Sequence, residues 1–443
     1  MNRTVNRSIS PDPFSLPKPE LAQETGHVVV EASTRELAGL ALQGMLLTAL
    51  TLGLYRFWYV TRVRKYFWAH TRIGNYPLEF TGHPVDLIVG FFMAVAILLP
   101  LYLGLFVVSL GLQNGVLAAN LGAVLVVWFL SQFGLYRARN YRLTRMLWRG
   151  LRFRQGGSGI IYALLSTIWL VIGLASLGLL WPARRLALQA YKMRNTCFGN
   201  QTASFDASLT PLYRAGWPLF LGVALISTWT VWQFANIWQA TPGTFDILDV
   251  LGSDLRNMSF EDTVRAIPFA DILWVLSIAG FAFVAVLALA GPSYLAAETR
   301  HFAGATSFGV VRMNSKLTRS SLVAVWGRFL AILAVFSAVY LGLGAVLFGA
   351  FLYSDLPVGI LDSATTRFWF FAALFLYYCI GFITYAVIHL VHLRFQLWRA
   401  IGNSMSFSPT DPISSIAVGS AEELRRRDGF GEGIADALDA GGV

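Results

Sequence analysis

Eight stretches of this 443-residue chain stay apolar for about as long as a helix needs to cross a bilayer. They lie near 37–55, 86–110, 116–136, 159–181, 216–239, 270–291, 322–352 and 367–393. A run of about 18 or more apolar residues spans the hydrocarbon layer, where each backbone N–H and C=O must be satisfied without water. Such runs therefore read as helices. Composition agrees: 13% of residues are charged, where a water-soluble chain carries roughly a quarter, and 56% are hydrophobic. The chain reads as an all-α integral membrane protein, a polytopic helical bundle.

Lys and Arg concentrate in cytoplasmic loops, so the cations orient the bundle. Of a net charge of +10, most sits in 56–72, 137–154, 184–194, 300–319 and 394–399. The connections at 111–115, 241–268 and 354–366 are neutral or acidic and read as outward-facing. If all eight runs crossed, the basic segments 137–154 and 182–194 would fall on opposite sides. The simplest arrangement keeps both inside: six full spans in three hairpins (86–136, 216–291, 322–393), with 37–55 and 159–181 short or re-entrant. Eight crossings is the alternative. Both termini are then cytoplasmic, and residues 1–34 and 408–443 read as polar tails, the first disordered.

An internal repeat orders the rest. Shifting by 125 residues superposes Ser176–Phe205 on Thr51–Phe80 without a gap. Gly53 then meets Gly178, Gly74 and Asn75 meet Gly199 and Asn200, and Phe80 meets Phe205. Shifts of 81 and 328 offer weaker relatives at Gly134–Arg137 and at Gly381 with Gly402 and Asn403, and "FAGATSF" at 302–308 is another. Each unit reads as an apolar segment, a glycine, an aromatic-basic helix, a Gly-Asn turn of positive φ and a short extended piece ending in Phe. Unit one spans 35–158, unit two 159–320, and a final hairpin with a degenerate motif 321–407.

At the membrane boundary, Trp58, Trp68 and Trp148 read as headgroup-depth aromatics. Arg56, Arg62, Lys65, Arg137, Arg142, Arg145, Arg149 and Arg152 read as interfacial or lipid-headgroup residues. Arg142, Arg145, Arg149 and Arg152 follow a 3-4-3 spacing, which places them on one face of a helix over 137–154 lying along the membrane.

The stretch from "LTLGLYRFWYVTRVRKYFWAHTRIG" through "LEFTG", the hairpin after it and "GEGIADALDAGG" near the C-terminus resemble the YjgN-like family of bacterial inner-membrane proteins. The resemblance covers most of 35–443. It implies a multi-pass protein of the bacterial inner membrane and, the family being of unknown function, supplies no catalytic or binding residues.

Signatures of chemistry are sparse. Cys197 and Cys379 form no zinc or disulfide pattern. Glu298 with His301, and His389 with His392, each share a helix face and are weak metal candidates; no cofactor is expected. Asp86 reads as an interfacial or capping residue. Few buried charges and a cationic inner rim favour a protein that binds or transports a lipid or other amphipathic ligand. The alternative is a scaffold or regulatory partner of another membrane or cytoplasmic protein. Anionic membrane lipids are the expected partners; an enzyme or a nucleic-acid binder is not expected.

Overall fold

The computed structural model describes residues 26–111, 116–240, 269–353 and 364–408. It corrects the all-α expectation. Ten short strands close into an antiparallel barrel, and the helices stand on one end of it.

Strand β1 (Gly26–Val30) leads into α1 (Thr34–Leu50) and α2 (Arg56–Ala69), then β2 (Thr71–Ile73) and β3 (Tyr76–Phe80). Helices α3 (Pro84–Gly111) and α4 (Val116–Thr144) precede β4 (Met146–Trp148) and β5 (Leu151–Gln155). Helices α5 (Gly159–Ala175) and α6 (Trp181–Arg194) precede β6 (Thr196–Phe198) and β7 (Gln201–Phe205). Helices α7 (Thr210–Ala240) and α8 (Phe269–Gly304) precede β8 (Thr306–Phe308) and β9 (Val311–Ser315). The chain ends its described part with α9 (Arg319–Tyr353), α10 (Ala364–Ile388), a π-helical turn (His389–Arg394), α11 (Phe395–Asn403) and β10 (Met405–Ser408).

A helix, a three-residue strand, a two-residue turn and a five-residue strand thus succeed one another four times. The turns use the left-handed region that tight hairpins require. Gly74, Gly199 and Gly309 have φ near +60°, the sign pattern of a type II′ turn; in the second hairpin Arg149 and Gly150 are both positive, as in type I′. The fifth hairpin is assembled from the two ends of the described chain. β1 pairs with β10 on one side (Gly26 opposite Phe407) and with β2 on the other (Val30 opposite Thr71), which closes the barrel. Relative to β10, β1 holds the place that β3 holds relative to β2. Residues 26–30, expected within a disordered tail, are therefore the closing strand; residues 1–25 and 409–443 lie outside the described residues, as do 112–115, 241–268 and 354–363.

A second correction concerns 137–154. The helix stops at Thr144, and the 3-4-3 arginines separate. Arg142 is in α4, Arg145 follows it, Arg149 is in the turn and Arg152 is in β5. Gly150 permits the reversal, and "LRFRQ" alternates with the period of a strand. The weaker repeat alignments also change: Gly134 lies inside α4, Gly381 inside α10, and Gly402 with Asn403 ends α11.

Five helical segments are long and apolar enough to cross a membrane: Pro84–Val107, Thr210–Ala240, Asp271–Gly304, Arg319–Val346 and Phe368–Asn403. Helices α1 and α5 have 17 residues each, about 25 Å at 1.5 Å per residue and short of the roughly 30 Å hydrocarbon core. Each ends in a turn with a left-handed Leu-Gly pair, Leu52-Gly53 and Leu177-Gly178. Leu52 is 96% exposed. Helices pack on their chain neighbours, and α10 returns against α1, so the helices ring the barrel end. The largest core lies where α2, α11 and the barrel meet: Phe67 contacts Phe395, and Trp68 lies against both Phe80 and Trp398.

Candidate functional site

Side chains alternate across a strand, so residues one and three of each short strand face the same way. Here they face the lumen. Thr71, Met146, Thr196, Thr306 and Met405 form a ring at the helix end of the barrel. Ile73, Trp148, Phe198, Phe308 and Phe407 form a second ring beside the turns. The second ring is largely aromatic: Trp148 lies 5.6 Å from Phe198 and 6.4 Å from Phe407. An eight-stranded barrel is just wide enough for its own side chains or one small ligand. Ten strands leave a chamber of about 590 Å³, within the roughly 300–1,000 Å³ of small-molecule sites.

The helix ends roof this chamber. Arg139 and Leu143 reach it from α4, and Arg185, Gln189 and Met193 from α6. Leu295, Glu298, Thr299 and Phe302 line it from α8, and Trp398 and Ile401 from α11. The spacings of three and four are those of single helix faces. Three charged residues line the chamber. The Arg185 Nε donates to Glu298 Oε1 at 2.7 Å, and Glu298 is buried. The Arg139 guanidinium donates to Gln155 Oε1 and, at 3.1 Å, to Thr196 Oγ1 of the upper ring. A largely apolar chamber thus carries a net positive charge at its helix end.

More cations stand behind that roof. Lys192 of α6 lies over the Tyr162 ring at 5.3 Å. Burial pushes its ammonium down to about 8, helped by repulsion from Arg139, Arg185, Arg184 and Arg142. Arg184 is buried, stacks 4.5 Å over Trp181 and donates to Ser166 Oγ, which in turn donates to Gln132 Oε1.

The residues singled out from sequence scatter around this arrangement. Trp68 and Trp148 are buried, whereas Trp58 is exposed. Arg62 and Lys65 are exposed on α2, and Arg56 begins that helix. Arg137 lies over Phe133, and Arg145 pairs with Asp86 at 2.9 Å. Arg149 covers the Tyr76 ring, and Arg152 donates to the Thr144 carbonyl. Gly53 and Gly178 shape the apolar turns, Gly74, Asn75, Gly199 and Asn200 the hairpin turns, and Phe80 and Phe205 are buried strand ends. The metal candidates do not assemble. Glu298 is taken by Arg185, His301 contacts the Ser208 carbonyl at 2.8 Å, and no group of three metal-binding side chains exists among the described residues. Sequence reasoning missed Arg139, Arg185 and Gln189 as lining residues. The i, i+4, i+8 row Arg185–Gln189–Met193 was visible, but which way it faced was not.

Five helices long and apolar enough to cross a membrane, set on a small barrel with a chamber, define a helical membrane protein with a β-barrel at one end of its helices. The family model described as bacterial protein of unknown function (DUF898) matches residues 26–326, more than half of the chain, and the chain belongs to that family. This agrees with the YjgN-like resemblance. The match begins at β1, includes four hairpins and ends within α9. Neither a curated protein nor a solved structure matches the chain.

Proposed function

We propose that the barrel chamber binds an anionic amphipathic molecule of the lipid class, its apolar part in the lumen and its anionic group at Arg139 and Arg185. The observation that carries this reading is the division of the chamber. Aromatic side chains line the turn end, and guanidiniums stand at the helix end, which we read as the side facing the membrane. Guanidinium is the side-chain group best matched to carboxylate and phosphate. We read the site as binding rather than catalytic, because its three charged groups are engaged in one ion pair and two hydrogen bonds. We read the protein as residing in the bacterial inner membrane with the barrel on the cytoplasmic side, since the basic segments all adjoin the barrel and cations favour that side. The helix–hairpin units are read as repeats. Helices α1 and α5, with their apolar tips, are read as entering the bilayer without crossing it.

The test uses the full-length protein in gentle detergent, with mass spectrometry of retained lipid and titration of a fluorescent anionic fatty-acid probe. Met313→Trp fills the lumen and should weaken the probe at least tenfold. Arg139→Gln should weaken it by about 5- to 30-fold, the effect of losing one charge-assisted hydrogen bond of ~1–2 kcal/mol. Wild-type affinity in both variants refutes the chamber. A preparation that carries no lipid but consistently brings down one protein favours the scaffold reading.

A further inference from the structure

We infer that a second cavity, outside the barrel, holds the phosphate of an anionic phospholipid from the surrounding leaflet. This cavity, of about 410 Å³, lies between the start of α9, the connection preceding it, and α11. Lys316, Arg328 and Arg399 line it together with Thr318, Ser321 and Gln396, and no Asp or Glu does. Among the described residues none of the three cationic side chains has a hydrogen-bond or ion-pair partner.

Position makes this an anion site rather than a solvated rim. Arg328 is nine residues into α9, about 13 Å along its axis, inside the segment Arg319–Val346 that is long and apolar enough to cross a membrane. A cation at such depth needs a counter-charge or a route to water. Its long side chain can snorkel toward the barrel, but there it meets Lys316 and Arg399, two more positive charges. Trp326, two residues earlier and 40% exposed, marks headgroup depth. The anion abundant at that depth is a lipid phosphate, and Thr318, Ser321 and Gln396 add neutral hydrogen-bonding groups around it. The site shares no lining residue with the barrel chamber, so it stands independently of the proposed function.

The experiment is native mass spectrometry of the full-length protein in detergent, titrated with phosphatidic acid and, separately, phosphatidylcholine. Lys316→Gln, Arg328→Gln and Arg399→Gln are combined. These side chains are exposed and unpartnered, so the thermal midpoint should not move. Wild type should hold one more phosphatidic acid than the triple variant does, and phosphatidylcholine should fill this additional site at least tenfold more weakly. Equal phosphatidic acid binding by the triple variant overturns the site. Displacement of the lipid by an equal concentration of glycerol 3-phosphate overturns the lipid assignment in favour of a soluble phosphate ester.

Discussion

At the scale of single residues, charge and confinement interact most strongly at Lys192. Its ammonium is held among Arg139, Arg142, Arg184 and Arg185, against the Tyr162 ring, and burial with their repulsion brings it down to about 8. In the unfolded chain a lysine titrates near 10.4. Between these values the unfolded state binds the extra proton, so folding stability rises with pH across roughly 8 to 10.4 and is lowest, from this group, below 8. Lys192→Met should raise the thermal midpoint at pH 7 and flatten the rise between pH 7.5 and 9.5. Identical pH dependence in wild type and variant would mean that the ammonium is not confined as described. Lys192 was legible in the sequence as one more membrane-adjacent cation. Its environment was not, because Arg139 and Arg142 come from a helix some fifty residues earlier.

The element that organises the molecule is the helix followed by a miniature hairpin. Its turn was readable: a Gly-Asn pair implies positive φ, and Gly74 and Gly199 adopt it. Its strands were not, since three residues show barely one period of alternation. The segment 137–154 illustrates the difficulty. Arginines spaced 3-4-3 fit a helix face, and only the reversal at Arg149-Gly150 reveals a hairpin. The turn tolerates Arg149 at φ +51°, at a cost that glycine elsewhere avoids. Around Gly74 an added Cβ meets nothing within 4 Å, so a substitution there tests backbone strain alone. Gly74→Val should destabilise by about 1–2 kcal/mol and Gly74→Asn by less, because asparagine tolerates the left-handed region. Denaturant unfolding of both variants is the measurement; equal losses would point to side-chain contacts instead of φ.

For the whole molecule the decisive event is closure. β1 sits between β2 and β10, Val30 is buried, and its N–H donates to Asn403 Oδ1 at 2.7 Å, tying together residues 373 positions apart. His27 lies opposite Ser406, and directly opposed residues in an antiparallel pair are about 4.5–5.5 Å apart at Cα, within disulfide reach. The pair His27→Cys with Ser406→Cys should therefore cross-link under mild oxidation, read as a linked peptide after digestion. No cross-link would mean that β1 does not close the barrel. Sequence by itself determined what depends on neighbours along the chain: which stretches are apolar enough for a bilayer, where cations gather, and where glycine lets the backbone reverse. Tertiary structure alone decided that 26–30 is a strand, that five hairpins form one barrel, and that Arg139 and Arg185 face a common chamber. A strand of three to five residues is too short to hold its own hydrogen bonds; its partners, contributed from distant parts of the chain, define it.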